Sequence, residues 1–161
     1  MNALELLISQ HRDVEEIFAE IESADDADSK TKAFQKLADS LAIHSAIEEH
    51  QFYPAVKAQR TEELLFESAE EHLGIKRVIA DLMKLDAKDE TFDAKIKFLK
   101  DLFMNHIEEE ETELFPQVKS LMDEDRLEEL GDEMESEVGE LYADGSPRLV
   151  IPKETEHPAQ L

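Results

Sequence analysis

Two stretches of the chain, 62 positions apart, carry one pattern: His44-Ser-Ala-Ile-Glu48-Glu49 runs on to Tyr53-Pro54-Ala-Val56-Lys57, and His106-Ile-Glu-Glu-Glu110-Glu111 runs on to Phe115-Pro116-Gln-Val118-Lys119. Both read H-x-x-x-E-E-x-x-x-[YF]-P-x-V-K. Upstream of each lies one further histidine, His11 and His72, at nearly the same separation. A repeat on this scale means that one supersecondary unit is used twice and buries its apolar face against its own copy.

The spacing of the apolar residues identifies the unit. Leu4, Leu7, His11, Val14, Phe18 and Ile21 alternate steps of three and four, which is one stripe along an amphipathic helix over about residues 2–23. The Asp- and Ser-rich run from Ser23 to Ser29 ends it and supplies N-cap residues for the next. Leu37, Leu41, His44 and Glu48 form a second stripe that stops near the aromatic pair before Pro54. A third helix over about residues 62–86 carries Leu65, His72, Ile75, Ile79 and Leu82, and a fourth carries Phe92, Ile96, Leu99, Phe103, His106 and Glu110. The unit is thus a helical hairpin, and two hairpins face to face predict an all-α, up-down four-helix bundle over residues 1–122. Pro54 and Pro116 lack the N–H that a helix interior needs, so each kinks its helix or starts a short new segment. Leu127, Leu130, Met134, Val138 and Leu141 predict an additional helix over 123–142, covering this bundle or meeting another chain. From residue 143 on, Gly145, Pro147, Pro152 and Pro158 predict an irregular or disordered tail over 143–161.

Composition narrows the function. A length of 161 residues suits a single domain. The net charge of −24 makes a surface that repels phosphate, so no nucleic acid and no membrane surface is expected as a partner. Every apolar run is too short to span a bilayer, and the first residues lack a basic stretch followed by an apolar one, so a cytoplasmic protein is expected. The absence of Cys excludes disulfides, thiolate metal sites, iron–sulfur clusters and thiol nucleophiles.

Four of the six His stand out against this background. His11, His44, His72 and His106 all lie on core-facing stripes, and Glu48 and Glu110 sit one turn beyond His44 and His106. Residues four apart share a helix face, so each pair presents an imidazole and a carboxylate to one point. Two ionised carboxylates in an apolar core cost several kcal/mol each without cations, and no Lys or Arg is expected on these stripes beside them. A pair of metal ions at the bundle axis removes that cost. Imidazole with carboxylate and no thiolate suits two iron ions, with manganese or zinc as lesser candidates. Two six-coordinate irons with both Glu bridging, four His and an oxo or hydroxo bridge leave about two positions open.

The other acids and His read as surface. His50, six residues after His44, lies about 240° round the helix, and His157 falls in the tail. Glu15 is expected to be solvated; Glu49, Glu108, Glu109 and Glu111 form a charged outer face, and Glu71 is placed along an access path. Tyr53 and Phe115, at matching positions of the repeat, read as core aromatics. A ferritin-like di-iron protein uses Glu-x-x-His on two helices, and the one such spacing here, Glu154 to His157, sits in the tail.

Residues 3–122, with His11, His44-x-x-x-Glu48, His72 and His106-x-x-x-Glu110, resemble the hemerythrin-like family, whose HHE cation-binding domain repeats this hairpin. The resemblance implies a non-haem di-iron centre in a left-handed four-helix bundle. It also implies a departure from the oxygen carriers, which have a further His where this chain has Lys76 and a His-x-x-x-x-Asp where it has His106-x-x-x-Glu110. The set of four His and two Glu is more similar to bacterial members linked to nitric oxide, peroxide or oxygen response and to repair of iron centres. The expected function is binding or sensing of a diatomic gas, or handling of peroxide, at an open di-iron site. Iron storage or delivery, or iron-centre repair, is the alternative.

Overall fold

The computed structural model describes residues 1–161, and it contains helices and turns but no strand. α1 spans Ala3–Ser23 and α2 Ala27–Ile47. α2 runs into a π-helical turn, Glu48–Phe52, and then the one-turn α3, Tyr53–Val56. α4 spans Glu62–Met83 and α5 Phe92–Glu109, which leads into a second π-helical turn, Glu110–Leu114, and α6, Phe115–Leu121. Next come α7 over Glu124–Ala143, a 3-10 turn, Pro147–Val150, and α8, Ile151–Glu154. The principal neighbours are α1 with α2 and α4 with α5, so each hairpin packs on itself and the two face each other as a four-helix bundle.

Local chemistry starts the helices where the side chains predict. Asn2 and Glu5 form a reciprocal capping box on α1, with Glu5 N–H donating to Asn2 Oδ1 at 2.9 Å and Asn2 N–H to Glu5 Oε2 at 3.1 Å. Asp26 caps α2 by accepting from Ser29 N–H at 2.7 Å, and Asp123 caps α7 by accepting from Arg126 N–H at 3.0 Å.

The two π-helical turns resolve the expectation at the prolines. Pro54 and Pro116 cannot donate to the carbonyls of His50 and Thr112, so the backbone widens by one residue. Tyr53 N–H then bonds back five residues to the Glu48 carbonyl, and Phe115 N–H to that of Glu110. The extra residue rotates Tyr53 and Phe115 about the helix axis relative to the preceding turns, and this rotation shapes the polar cluster at the bundle centre.

Apolar side chains form two clusters along the bundle. One gathers Phe18, Phe34, Leu37, Ile79, Phe92, Leu99 and Phe103; the other gathers Leu4, Leu7, Phe52, Tyr53, Leu65, Phe115 and Leu130. His11, His44, His72 and His106 fall between them in every helix, so the polar layer is sandwiched by core on both sides.

α7 covers this chain's own bundle, with Leu127, Leu130 and Met134 in the second cluster. It lies so close to the N-terminus that a Cβ on Gly131 would stand 2.3 Å from the Met1 carbonyl oxygen and 2.9 Å from the Asn2 carbonyl carbon. Gly131→Ala is therefore expected to lower stability by about 1–3 kcal/mol, although Ala favours helix, because rigid backbone has to move. Gly139, with nothing within 4 Å of its Cβ position, takes the same substitution with a gain. Thermal unfolding of the two variants checks the contrast.

The segment after residue 143 has no long helix, and it does not trail free. Ile151 is fully buried in the first apolar cluster. Arg148 ties the segment to α2 through Asp39, by its guanidinium at 2.8 Å and its backbone N–H at 2.9 Å. One apolar anchor and two ion pairs, Arg148–Asp39 and Lys76–Glu154, hold a stretch whose Pro and Gly content suggests disorder when read alone. No helix is long and apolar enough to cross a membrane.

Candidate metal centre

Each central helix places its polar residues by the stripe it already needs for packing. The result is one buried cluster of His11, His44, Glu48, His72, His106 and Glu110, each at most 2% exposed. Their donor atoms fall into two groups, each within 4.8 Å: His11, His44, Glu48 and Glu110, and Glu48, His72, His106 and Glu110. Glu48 and Glu110 belong to both. His72 Nε2 lies 2.9 Å from Glu48 Oε2, and His106 Nε2 lies 3.1 Å from Glu110 Oε1. His44 Nε2 is 3.4 Å from Glu48 Oε2, and His11 Nε2 is 3.3 Å from Glu110 Oε2.

The outward nitrogens are held as methodically. His11 Nδ1 donates to Glu111 at 2.8 Å and His72 Nδ1 to Glu49 at 2.9 Å. His44 Nδ1 donates to the Gln10 side-chain oxygen at 3.0 Å and His106 Nδ1 to Glu71 at 3.1 Å. With an oxygen acceptor at every Nδ1, a ring proton is held there, and Nε2 is the nitrogen that each ring turns inward. This is the arrangement that orients imidazoles for a metal.

The pattern of partners mirrors the repeat. The second Glu of each H-x-x-x-E-E holds the His on the first helix of the other hairpin, and the residue before each first-helix His holds the His of its own hairpin's second helix. Glu49 and Glu111 are therefore half-buried positioning groups and not a free outer face, and Glu71 serves His106 instead of lining a path. The signal was present in Gln10-His11 and Glu71-His72, but periodicity alone says nothing of which partner a surface-edge carboxylate reaches.

Tyr53 is a second residue whose role the sequence understates. In an α-helix a residue five after Glu48 points about 140° away; the π-helical turn brings it back onto the stripe. Its hydroxyl lies 3.1 Å from Glu48 Oε2, 3.1 Å from Glu110 Oε1 and 3.2 Å from His72 Nε2. Burial, together with the charges of Glu48 and Glu110, pushes the phenol well above its ordinary value, so it stays protonated and donates to the cluster. Lys76 is the third: it is buried on α4 one turn beyond His72, but its ammonium goes to Glu49 and Glu154 and leaves Glu48 and Glu110 without a lysine.

His50 and His157 stand outside the cluster, His50 bonded to Glu137 at 2.6 Å. Glu15 holds Arg12 at 2.8 Å.

The residues fit metal ions by a direct test. His11 Nε2, His44 Nε2, Glu48 Oε1 and Glu110 Oε2 are buried with no hydrogen-bond partner, and orphaned polar atoms of this kind are costly unless something else is bound. His72 Nε2 and His106 Nε2 approach to 3.1 Å, two nitrogens that need a proton or a cation between them. Burial pushes His44 down to about 4, which leaves it neutral and able to donate a lone pair at pH 7. Glu110 is held well below the ordinary range: burial opposes its charge, but His106 and His11 outweigh it.

Glu49 makes the stability of the metal-free chain depend on pH. Burial opposes its charge, yet His72 and Lys76 draw it from 4.5 down to about 2. A carboxyl depressed in the folded state contributes stability above its unfolded value, and that contribution is lost as the pH falls through the folded one. Metal-free protein is thus expected to lose thermal stability between about pH 4.5 and about pH 2. Glu49→Gln should flatten that part of the melting-temperature profile.

Comparison with known proteins agrees with this geometry. The family model described as the hemerythrin HHE cation binding domain matches residues 2–118. A DNA nickase of Nostoc sp. is 23% identical over 136 residues, which are 84% of this chain, and the chain spans 39% of that protein's length. The crystal structure of a hemerythrin HHE cation binding domain-containing protein from Mycobacterium kansasii superposes with a TM-score of 0.79 at 24% identity, covering 93% of this chain and 98% of that one. That likeness shows the fold. The family match and the buried His and Glu groups together make the cluster a metal-binding site, and the chain belongs to the hemerythrin HHE cation-binding domain family.

Proposed function

We propose that His11, His44, Glu48, His72, His106 and Glu110 hold two iron ions, and that the protein binds or senses oxygen or nitric oxide, or handles peroxide, at that pair. One observation carries the reading: the two donor groups share Glu48 and Glu110, as two neighbouring ions held by common carboxylates require. Bound iron would supply one-electron redox chemistry and Lewis acidity. The chain's own residues do the rest. The four Nδ1 acceptors fix the imidazoles, the apolar clusters on either side exclude water, and the Tyr53 hydroxyl holds a proton between Glu48, Glu110 and His72.

Lys76 also supports a site left more open than a carrier's, because its ammonium is committed to Glu49 and Glu154 and gives the cluster no donor. The nicking of DNA is not carried over from the Nostoc relative. The matched stretch is a minor part of that protein, and a net charge of −24 opposes a polyphosphate ligand. Iron storage or delivery, or repair of iron centres, is the second reading, and the acidic surface is compatible with it.

Anaerobic loading with ferrous iron, metal analysis and optical titration with oxygen and nitric oxide test the proposal. Two irons per chain and a saturable spectral change on gas addition are expected. A persistent adduct marks binding, rapid turnover of the added gas marks catalysis, and release of iron marks delivery. Clearly fewer than two metals per chain would sink the di-iron assignment.

A further inference from the structure

The two hairpins treat their first-helix His differently, and the difference leads to the C-terminal segment. On α1, the Glu111 that accepts from His11 Nδ1 is braced by Arg12, a surface residue next to His11 on the same helix. On α4, the Glu49 that accepts from His72 Nδ1 is braced by Lys76, which is only 6% exposed. The Lys76 ammonium reaches the two Glu49 oxygens at 2.9 and 3.1 Å and Glu154 Oε2 at 2.6 Å. Glu154 belongs to α8, beside the buried Ile151 and beyond the Arg148–Asp39 tie to α2.

A buried ammonium needs carboxylates around it. Were Glu49 its sole partner, one side chain would have to neutralise Lys76 and orient His72 together. Glu154 supplies the second carboxylate, so Glu49 can keep its Oε1 on the His72 ring.

We propose that Glu154, acting through Lys76 and Glu49, is a positioning residue for His72, so that the C-terminal segment is part of the metal centre. The line runs Glu154, Lys76, Glu49 and ends at His72, whose Nδ1 lies 2.9 Å from Glu49 Oε1. It reaches one of the two donor groups only: His72 is absent from the group of His11 and His44. The proposal rests on the reading of His72 as a ligand to one of two irons.

The test uses the full chain loaded with ferrous iron, with the release of iron to excess ferrous chelator followed by absorbance. Outer partners of a ligating His typically contribute 10–100-fold in metal affinity. Glu154→Gln and Lys76→Met are therefore expected to release one iron about tenfold faster, while the second leaves at the wild-type rate. Arg148→Ala, which removes the segment's other ion pair without touching this line, should release both as wild type does. Glu154→Gln alters a carboxylate 36% exposed and carries the test if Lys76→Met does not fold.

Wild-type release of both irons from Glu154→Gln overturns the proposal and leaves the di-iron reading standing. Equal acceleration by Arg148→Ala also overturns it, since loose docking would then suffice. A wild-type chain that takes up fewer than two irons overturns the reading beneath.

Discussion

On the proposed di-iron reading, Glu48→Ala and Glu110→Ala are each expected to reduce bound iron from two per chain to well below one, while circular dichroism stays that of a largely helical protein. Each carboxylate belongs to both donor groups, so a single substitution takes one donor from each. It also removes half of the negative charge that offsets two cations in an apolar surrounding. Loss of an outer partner alone typically costs 10–100-fold in affinity, and loss of a shared ligand should exceed that. The helix survives because Ala is the best helix former and because the buried carboxylate, which needs His106 and His11 or His72 and His44 to stay charged, disappears with its desolvation cost. Metal analysis after gel filtration measures the outcome. Wild-type iron in both variants would falsify the six-residue set.

Phe103→Ala carries the second large effect. Phe103 is fully buried on α5, with its ring centroid 6.1 Å from Phe18, 6.1 Å from His11 and 6.3 Å from His44. It is the side chain where the larger apolar cluster meets the metal layer. Truncation should cost about 3–5 kcal/mol, from lost burial plus the cavity left behind, and lower the apoprotein's melting temperature by roughly 10 °C. On the same reading, added iron should recover part of the loss, since the six-residue cluster that would hold it is assembled only in the folded chain. Urea unfolding with and without iron checks both parts, and a loss under about 1 kcal/mol in the apoprotein would show that the site collapses around the gap.

The repeat and its stripes made the bundle legible before any coordinates. His11, His44, His72 and His106 are on core-facing positions because helical period decides which side of a helix a residue occupies. Glu48 and Glu110 are legible for the same reason, being four residues past a His. Tyr53 was legible as a core aromatic, but not as a partner of Glu48 and Glu110, since that contact depends on the π-helical turn at Pro54. Lys76 is buried on a stripe where no Lys was expected, and its partner Glu154 is 78 residues away, with no local rule connecting them.

The tail shows the same limit. Gly145, Pro147, Pro152 and Pro158 describe how the backbone behaves alone, and they do indicate a segment without a long helix. Whether it docks is settled by Ile151 finding room in the core and by Arg148 finding Asp39.

By itself, then, the sequence determined the helices, their pairing into hairpins and the identity of the inward-facing His and Glu, because each arises from intervals of a few residues. Only the tertiary structure decided which acid holds which imidazole, where the Tyr53 hydroxyl points and that Glu154 reaches Lys76. Those are contacts between elements, set by how two hairpins and a C-terminal segment pack in space, and no spacing along a single helix encodes them.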